Sequence, residues 1–280
     1  MPRSWRLQTR LGVIVGVCAI AMVVLILVPR VPLGARYHEF ADNRTTLGIP
    51  NALDVLSNIP FLIVGAWGLL WLLGKSSRSS FIDEGERVPY LVFFLGVALT
   101  GAGSFYYHLA PSNSRLPWDL LPMTCSFISM VVALTMERIS VTLGSVCLTP
   151  LLALGIASVA YWYVSEAQGR GNYKFYLFVQ YFSPVLLVFI VALFPPRYSG
   201  MSYLVAAFAF FGAAKLFESF DRPIYSSRAI VSGHSLKHVA AGISCYLVLR
   251  MLQVRRAVDG GAMHSNVGIP QYQERKTLFR

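Results

Sequence analysis

Three of the five histidines of this chain lie within or at the ends of long apolar segments. His108 closes one such segment and follows Ser104 by four residues, so the two share one face of a helix. His234 and His238 repeat that spacing at the start of the last apolar segment, and Asp119 opens the segment after His108. Ionisable side chains are costly inside apolar segments, so these residues are functional candidates by default.

The residue types and spacings favour a metal centre. Three imidazoles with one open position are the usual arrangement of a catalytic zinc, which makes bound water acidic enough to ionise near neutral pH. Asp119 is then the candidate proton acceptor, and Ser104 is the candidate hydroxyl that holds water or stabilises an oxyanion. Each feature alone has a plainer explanation, such as a helix cap for Asp119 or a backbone hydrogen bond for Ser104. Taken together, the set favours the metal centre.

The composition indicates that membrane helices position these residues. Of 280 residues, 55% are hydrophobic and 13% are charged, whereas soluble domains carry roughly 25% charged residues. This excludes an ordinary soluble globule and a disordered chain. The net charge of +11 comes mostly from basic residues at segment ends and termini, which indicates membrane orientation and no nucleic-acid partner. The four cysteines lie in apolar runs without CxxC spacing, so no disulfide framework is indicated.

The apolar segments predict an all-α integral membrane protein, because about 20 apolar residues form one helical span. The basic residues Arg3, Arg6 and Arg10 precede the first segment, which resembles a signal peptide but is long for one. We therefore expect an uncleaved anchor. The eight predicted spans are 11–29, 54–74, 89–109, 119–137, 144–164, 176–195, 201–218 and 234–252.

The distribution of Lys and Arg predicts the orientation. With the N-terminus inside, fourteen of these residues lie in inner segments and eight in outer loops. Eight spans then place both termini in the cytoplasm, in the plasma or inner membrane if the chain is bacterial. His108, Asp119, His234 and His238 all fall in the outer half of the membrane under this orientation. Topology therefore predicts that they meet.

These motifs resemble those of the alkaline ceramidase family, part of the wider group of membrane hydrolases that includes the progestin and adiponectin receptors. The family pattern is S-x-x-x-H, an Asp at the next helix start, and H-x-x-x-H on the last helix. Ser104/His108, Asp119 and His234/His238 match it in order, with an eleven-residue step from His108 to Asp119. Residues 54–61, DVLSNIPF, are similar to the Ser-Asn stretch of the family's first core helix, and the resemblance covers about 40–252.

The resemblance implies a seven-helix bundle with one additional N-terminal transmembrane helix. It also implies a zinc bound by His108, His234 and His238. The implied activity is hydrolysis of the linear amide of ceramide or a related N-acyl lipid to a sphingoid base and a fatty acid, a step of sphingolipid metabolism. The predicted regions are a basic inner segment (1–10), an anchor (11–29), an outer loop (30–53), the seven-span ceramidase-like domain (54–252) and a basic tail (253–280).

The outer loop is the place where the resemblance is incomplete. Eukaryotic alkaline ceramidases carry an acidic calcium-binding stretch there, and Asn51 stands where a family Glu would fall. A capped, solvated loop is the favoured interpretation, with calcium as the alternative. The oxygens available to such a hard cation belong to Glu39, Asp42, Asn43 and Asp54.

Three functions compete. The favoured one is a membrane zinc amidohydrolase whose partners are the bilayer and a lipid amide; the sequence does not identify any protein partner. The second is a receptor or regulator of the progestin–adiponectin type that keeps the zinc site, and the third is a proton or metal transporter. Lys215 and Glu218, three residues apart near an outer helix end, are interpreted as an interfacial rim, with an ion-pair network as the alternative.

Overall fold

The computed structural model describes residues 3–228 and 230–258, and within these ranges the chain is helical without β-strands. Short 3₁₀ helices cover Lys75–Ser80 and Glu84–Glu86. The α-helices are α1 (Arg3–Leu27), α2 (Ala52–Leu56), α3 (Ile59–Leu73), α4 (Arg87–Leu109), α5 (Leu116–Arg138), α6 (Val141–Ala167), α7 (Lys174–Leu193), α8 (Met201–Ser219), α9 (Asp221–Arg228) and α10 (Gly233–Val254).

Helices occupy all eight ranges in which the sequence predicts a span. Among the described residues, seven segments are long and apolar enough to cross a membrane, which indicates a multi-pass membrane protein in a lipid bilayer. The last helix, α10, is not one of the seven, because His234, Lys237, His238 and Arg250 lower its hydropathy. The all-α class is confirmed, and a crossing by α10 stays a prediction.

The second predicted span, 54–74, is divided into α2 and α3. Pro60 has no backbone N–H, so the helical bond to the carbonyl of Leu56 cannot form. The Asn58 amide instead donates to the carbonyl oxygens of Asp54, at 2.7 Å, and Val55, at 3.4 Å. The interruption gives Ser57 a position between two helices, where its hydroxyl reaches α10.

The bundle is built around α5, which packs against α4, α6 and α7. On its other side α4 packs against α3, α3 against α10, and α10 against α8. The first helix contacts α7 from outside, and none of its apolar window is buried. The large apolar core joins α3, α4, α5, α7, α8 and α10 and includes the fully buried Leu72, Phe94 and Leu249.

The two ends of the bundle differ in chemistry. One end, which we call the His end, carries His108 and the start of α10. At the opposite end, the buried Glu137 carboxylate accepts hydrogen bonds from Tyr90, at 2.8 Å, and from Arg255. The Arg255 guanidinium also lies 4.0 Å from the ring centroid of Tyr198. These contacts bind the end of α10 to α4, α5 and the α7–α8 loop.

The chain continues this contact beyond α10. The backbone N–H of Ser199 donates to the carbonyl of Arg256 at 2.9 Å, and that of Val258 donates to Arg197 at 2.9 Å. Residues 255–258, at the start of the predicted basic tail, therefore lie against the α7–α8 loop. The remainder of that tail, 259–280, lies outside the described residues.

Glu137→Ala tests the buried pair. Removal of one partner leaves the Arg255 charge buried, which typically costs about 3–5 kcal/mol of folding free energy. We expect the unfolding midpoint in detergent to fall strongly. Glu84→Ala is the matched control, because its pair with Arg78 spans 4.0 Å between side chains that are 72% and 64% exposed. Equal midpoints for the two variants would contradict the assigned importance of the Glu137–Arg255 pair.

Candidate metal centre

The three predicted histidines meet at the His end. One ring nitrogen from each of His108, His234 and His238 lies within 4.8 Å of the others, and all three side chains are buried. The ring centroids form a nearly equilateral triangle with sides of 4.8, 5.1 and 4.7 Å. Within the described chain, this is the one grouping of three His, Cys, Asp or Glu side chains with metal-ligand spacing. A His triad able to bind a metal ion is therefore confirmed.

The start of α10 is fixed by several local contacts. Ser232 caps the helix, and its hydroxyl accepts the N–H of Ser235 at 3.0 Å. A Cβ at Gly233 would overlap the carbonyl of Phe217, so the backbone of α10 touches the end of α8. The N–H of His234 donates to Asp221 Oδ1 at 2.8 Å. Together these contacts set the direction in which His234 enters the bundle.

The hydrogen bonds of Ser57 set the tautomer of His238. The Ser57 hydroxyl lies 3.1 Å from the carbonyl oxygen of Asp54 and 2.8 Å from His238 Nδ1. A hydroxyl carries one proton, so it donates to the carbonyl and accepts the Nδ1–H of His238. The lone pair of His238 then lies on Nε2. Such an outer hydrogen bond is what orients a metal-ligating imidazole.

The other two imidazoles approach through their Nε2 atoms, which lie 3.2 Å apart. Two nitrogens bound tetrahedrally at 2.0–2.1 Å from one zinc are about 3.3 Å apart, so this spacing suits shared coordination. The other ring nitrogen of His108, Nδ1, is buried without a hydrogen-bond partner among the described residues, and a metal at Nε2 would leave it so. The Asn51 amide donates to the His108 carbonyl at 2.8 Å and holds the last turn of α4. The donor set fits zinc.

Ser104 and Asp119 lie side by side where α4 meets α5. A Cβ at Gly103 would overlap the carbonyl of Trp118, so the two backbones touch there. The buried Ser104 directly follows Gly103, and the half-buried Asp119 directly follows Trp118, so the two residues start from adjoining points on the two helices. The structure thus brings the two predicted catalytic residues together. Their roles in catalysis stay predictions.

Asp54 lies beside the triad, a position that sequence reasoning did not predict. It is fully buried at the start of α2, and its Oδ1 accepts the hydroxyls of Ser232 at 3.0 Å and Ser235 at 2.6 Å. The sequence suggested Asp54 only as a calcium candidate. Its carboxylate instead joins α2 to the first turn of α10, next to two of the metal-ligating candidates. A carboxylate preceding Ser57 at the predicted start of an apolar span was the available signal.

The remaining calcium candidates lie in the outer loop with separate partners. Glu39 pairs with Arg222 at 3.2 Å and with Arg36 at 3.8 Å. Asp42 accepts the Arg44 guanidinium at 2.6 and 2.8 Å, and that contact lowers the pKa of the Asp42 carboxyl. Asn43 is exposed. The carboxylates of Glu39, Asp42 and Asp54 are each engaged elsewhere, and calcium binding stays a prediction.

An ion-pair network joins α8 to α10 beside the triad. Glu218 accepts Lys215 at 2.8 Å and Lys237 at 3.0 Å. The side chains are between 21% and 35% exposed, so they form a partly desolvated cluster. The structure thus shows the network that the sequence interpretation placed second to an interfacial rim. Lys237, which lies between the two histidines of α10 in sequence, completes it.

Compared with models of known protein families and with curated proteins, the chain matches none.

Replacement of any one triad histidine by Ala should remove most of the zinc from protein purified with the metal, because two imidazoles and water are a poor tetrahedral site. His264→Ala is the control, since His264 belongs to the basic tail predicted from the sequence. Elemental analysis of folded protein gives the result. Full zinc content in a variant lacking all three triad histidines would contradict the ligand assignment.

Ser57→Ala should weaken zinc binding without removing a ligand. Loss of an outer hydrogen bond to a ligating His typically costs about 10–100-fold in metal affinity. Ser79→Ala is the matched control, because Ser79 is exposed and its hydroxyl also bonds the carbonyl three residues back, at 3.2 Å. Competition with a chelator measures both affinities. Equal affinities would show that Ser57 does not orient His238.

Proposed function

We propose that the protein is an integral-membrane zinc amidohydrolase that cleaves the amide bond of ceramide or a related long-chain N-acyl lipid. The observation that carries the proposal is the triangle of buried imidazoles, His108, His234 and His238, in an apolar helical bundle. The family resemblance of the same residues supports the reaction class and the substrate.

The three imidazoles would hold the metal and leave one position for water or substrate. When bound, zinc would supply Lewis acidity and water activation at this position. The triad brings no carboxylate or thiolate of its own, so with a divalent metal bound the centre would carry a net positive charge that suits a developing oxyanion. A separate proton acceptor is then needed.

Asp119 fills that role in the proposal. Its carboxylate accepts a proton from the attacking water as the water oxygen bonds to the carbonyl carbon of the amide. The same proton passes to the amide nitrogen when the C–N bond breaks, which releases an amine and a carboxylic acid. The Ser104 hydroxyl, next to Asp119, donates to the oxyanion of the tetrahedral intermediate.

The surroundings favour a substrate that arrives from the bilayer. The lateral surface exposes large apolar side chains, including Leu70, Val146 and Leu154, each at least 66% exposed. Such a surface suits lipid, and a lipid amide can approach a buried centre along it. In the proposed orientation both termini are cytoplasmic, and the His end faces outward.

Asp119→Asn should separate turnover from metal binding. Loss of a general base typically lowers the rate about 10²–10⁴-fold, whereas the three zinc ligands remain. Ser104→Ala should reduce turnover less. Asp83→Asn is the control, because Asp83 is an exposed helix cap at the opposite end of the bundle.

The assay incubates purified protein with a panel of N-acyl lipids, with and without chelator, and quantifies the released amine and fatty acid. Zinc is measured on the same preparations. A zinc-loaded protein that releases no product from any lipid amide would contradict the hydrolase and favour the receptor alternative. Product release by metal-free protein would contradict the metal mechanism.

A further inference from the structure

A cavity of about 550 Å³ opens on the His end of the protein. It lies between the outer loop, the residues after α4 and helix α9. Its walls are mostly polar and carry both charge signs, and the opposite charges of Glu39 and Arg222 are paired at 3.2 Å. Phe40, Asn51 and Ser226 are among the residues that line it.

Phe40 separates this cavity from the His triad. Its half-buried ring lines the cavity, and the ring centroid lies 4.6 Å from that of His108 and 4.4 Å from that of His234. Asn51 also lines the cavity, and its amide bonds the His108 carbonyl. Phe40 and Asn51 therefore line the cavity on one side and contact residues of the candidate metal centre on the other.

The position of Phe40 is coupled to the triad through Asp221. One carboxylate oxygen of Asp221 accepts the N–H of His234 at 2.8 Å, and the other accepts the N–H of Ala41, which follows Phe40, at 3.1 Å. On the other side, His38 hydrogen-bonds to Tyr107 at 2.8 Å, next to His108. The residues on both sides of Phe40, His38 and Ala41, are thus hydrogen-bonded to groups next to the triad.

The buried centre needs an aqueous route. Hydrolysis consumes water, and a metal ion reaches a protein site in hydrated form, yet the three imidazoles are buried and the sides of the bundle are apolar. Charged and hydrated species do not cross such apolar surfaces readily. The polar cavity is separated from the triad by the ring of Phe40.

We propose that this cavity is the aqueous port of the metal centre, and that Phe40 is the plug through which water and hydrated metal ions must pass. The inference rests on the proposed metal centre. It adds an entry path and the residue that controls it.

The test measures how fast zinc-loaded protein in detergent gives up its metal to excess hydrophilic chelator. Phe40→Ala removes the ring between the cavity and the triad and should speed zinc release by roughly tenfold, which equals about 1.4 kcal/mol of barrier. Phe210→Ala is the control, because Phe210 on α8 is 39% exposed and does not line the cavity. Its release rate should match that of the unchanged protein.

A second experiment obstructs the cavity without altering Phe40, and it uses one test variant and one control. Ser226 lines the cavity, whereas its exposed neighbour Ser227 does not, and both hydroxyls bond the carbonyl three residues back. A bulky charged thiol reagent on Ser226→Cys should slow zinc release. The same label on Ser227→Cys should change it little, with labelled unchanged protein correcting for the four native cysteines.

The outcomes separate the two proposals. A protein that binds no zinc would overturn the metal centre. If zinc binds but Phe40→Ala, labelled Ser226→Cys and their controls all release it at the same rate, the port is contradicted and the metal centre is not. The labelled pair tests the port even if Phe40→Ala does not fold.

Discussion

The burial of three imidazoles at one end of an apolar bundle is the constraint on which the rest of this structure depends. A polar group moved from water into an apolar interior loses hydration that only a partner can replace. His238 obtains one such partner in Ser57, and the last turn of α4, which ends just after His108, is held by Asn51. His108 and His234 face each other through their Nε2 atoms, 3.2 Å apart. A metal ion shared by the three rings would replace the hydration lost by the ring nitrogens that face one another.

The polar groups around the triad bind different helices together. Asp54 on α2 holds the serines at the start of α10, and Asp221 on α9 holds the backbone of His234 and of the outer loop. At the opposite end of the bundle, the Glu137–Arg255 pair fixes the end of α10. The helix that supplies two of the three imidazoles is thereby fixed at both ends, which limits the drift of its ring nitrogens relative to His108.

Much of the fold could be predicted from local sequence, because each long apolar run must form a helix to satisfy its backbone in lipid. The i,i+4 spacing of His234 and His238, together with their predicted depth, also placed the triad correctly. The interruption at Ser57 was missed because residues 54–74 form one continuous, mostly apolar run. The ion-pair network was ranked second because the contact of Glu218 with Lys237 joins two helices. A contact between helices produces no periodic pattern in the sequence.

The outer loop could not be predicted from its own sequence. Its acidic residues resembled a cation site or a solvated loop, but its structure depends on residues far along the chain. Glu39 pairs with Arg222, and the ring of Phe40 packs on His108 and His234. Such contacts join segments separated by roughly 70 to 190 residues, which no local pattern reports. The cavity over the triad is a product of the same long-range contacts.

Zinc K-edge X-ray absorption of the purified protein tests the metal centre most directly. We expect about one zinc per chain, with three nitrogen ligands at 2.0–2.1 Å, imidazole scattering and one further light ligand. A sulfur ligand near 2.3 Å would assign the metal to cysteine and contradict the His triad as the binding site. So would a spectrum that is unchanged when His108, His234 and His238 are replaced together.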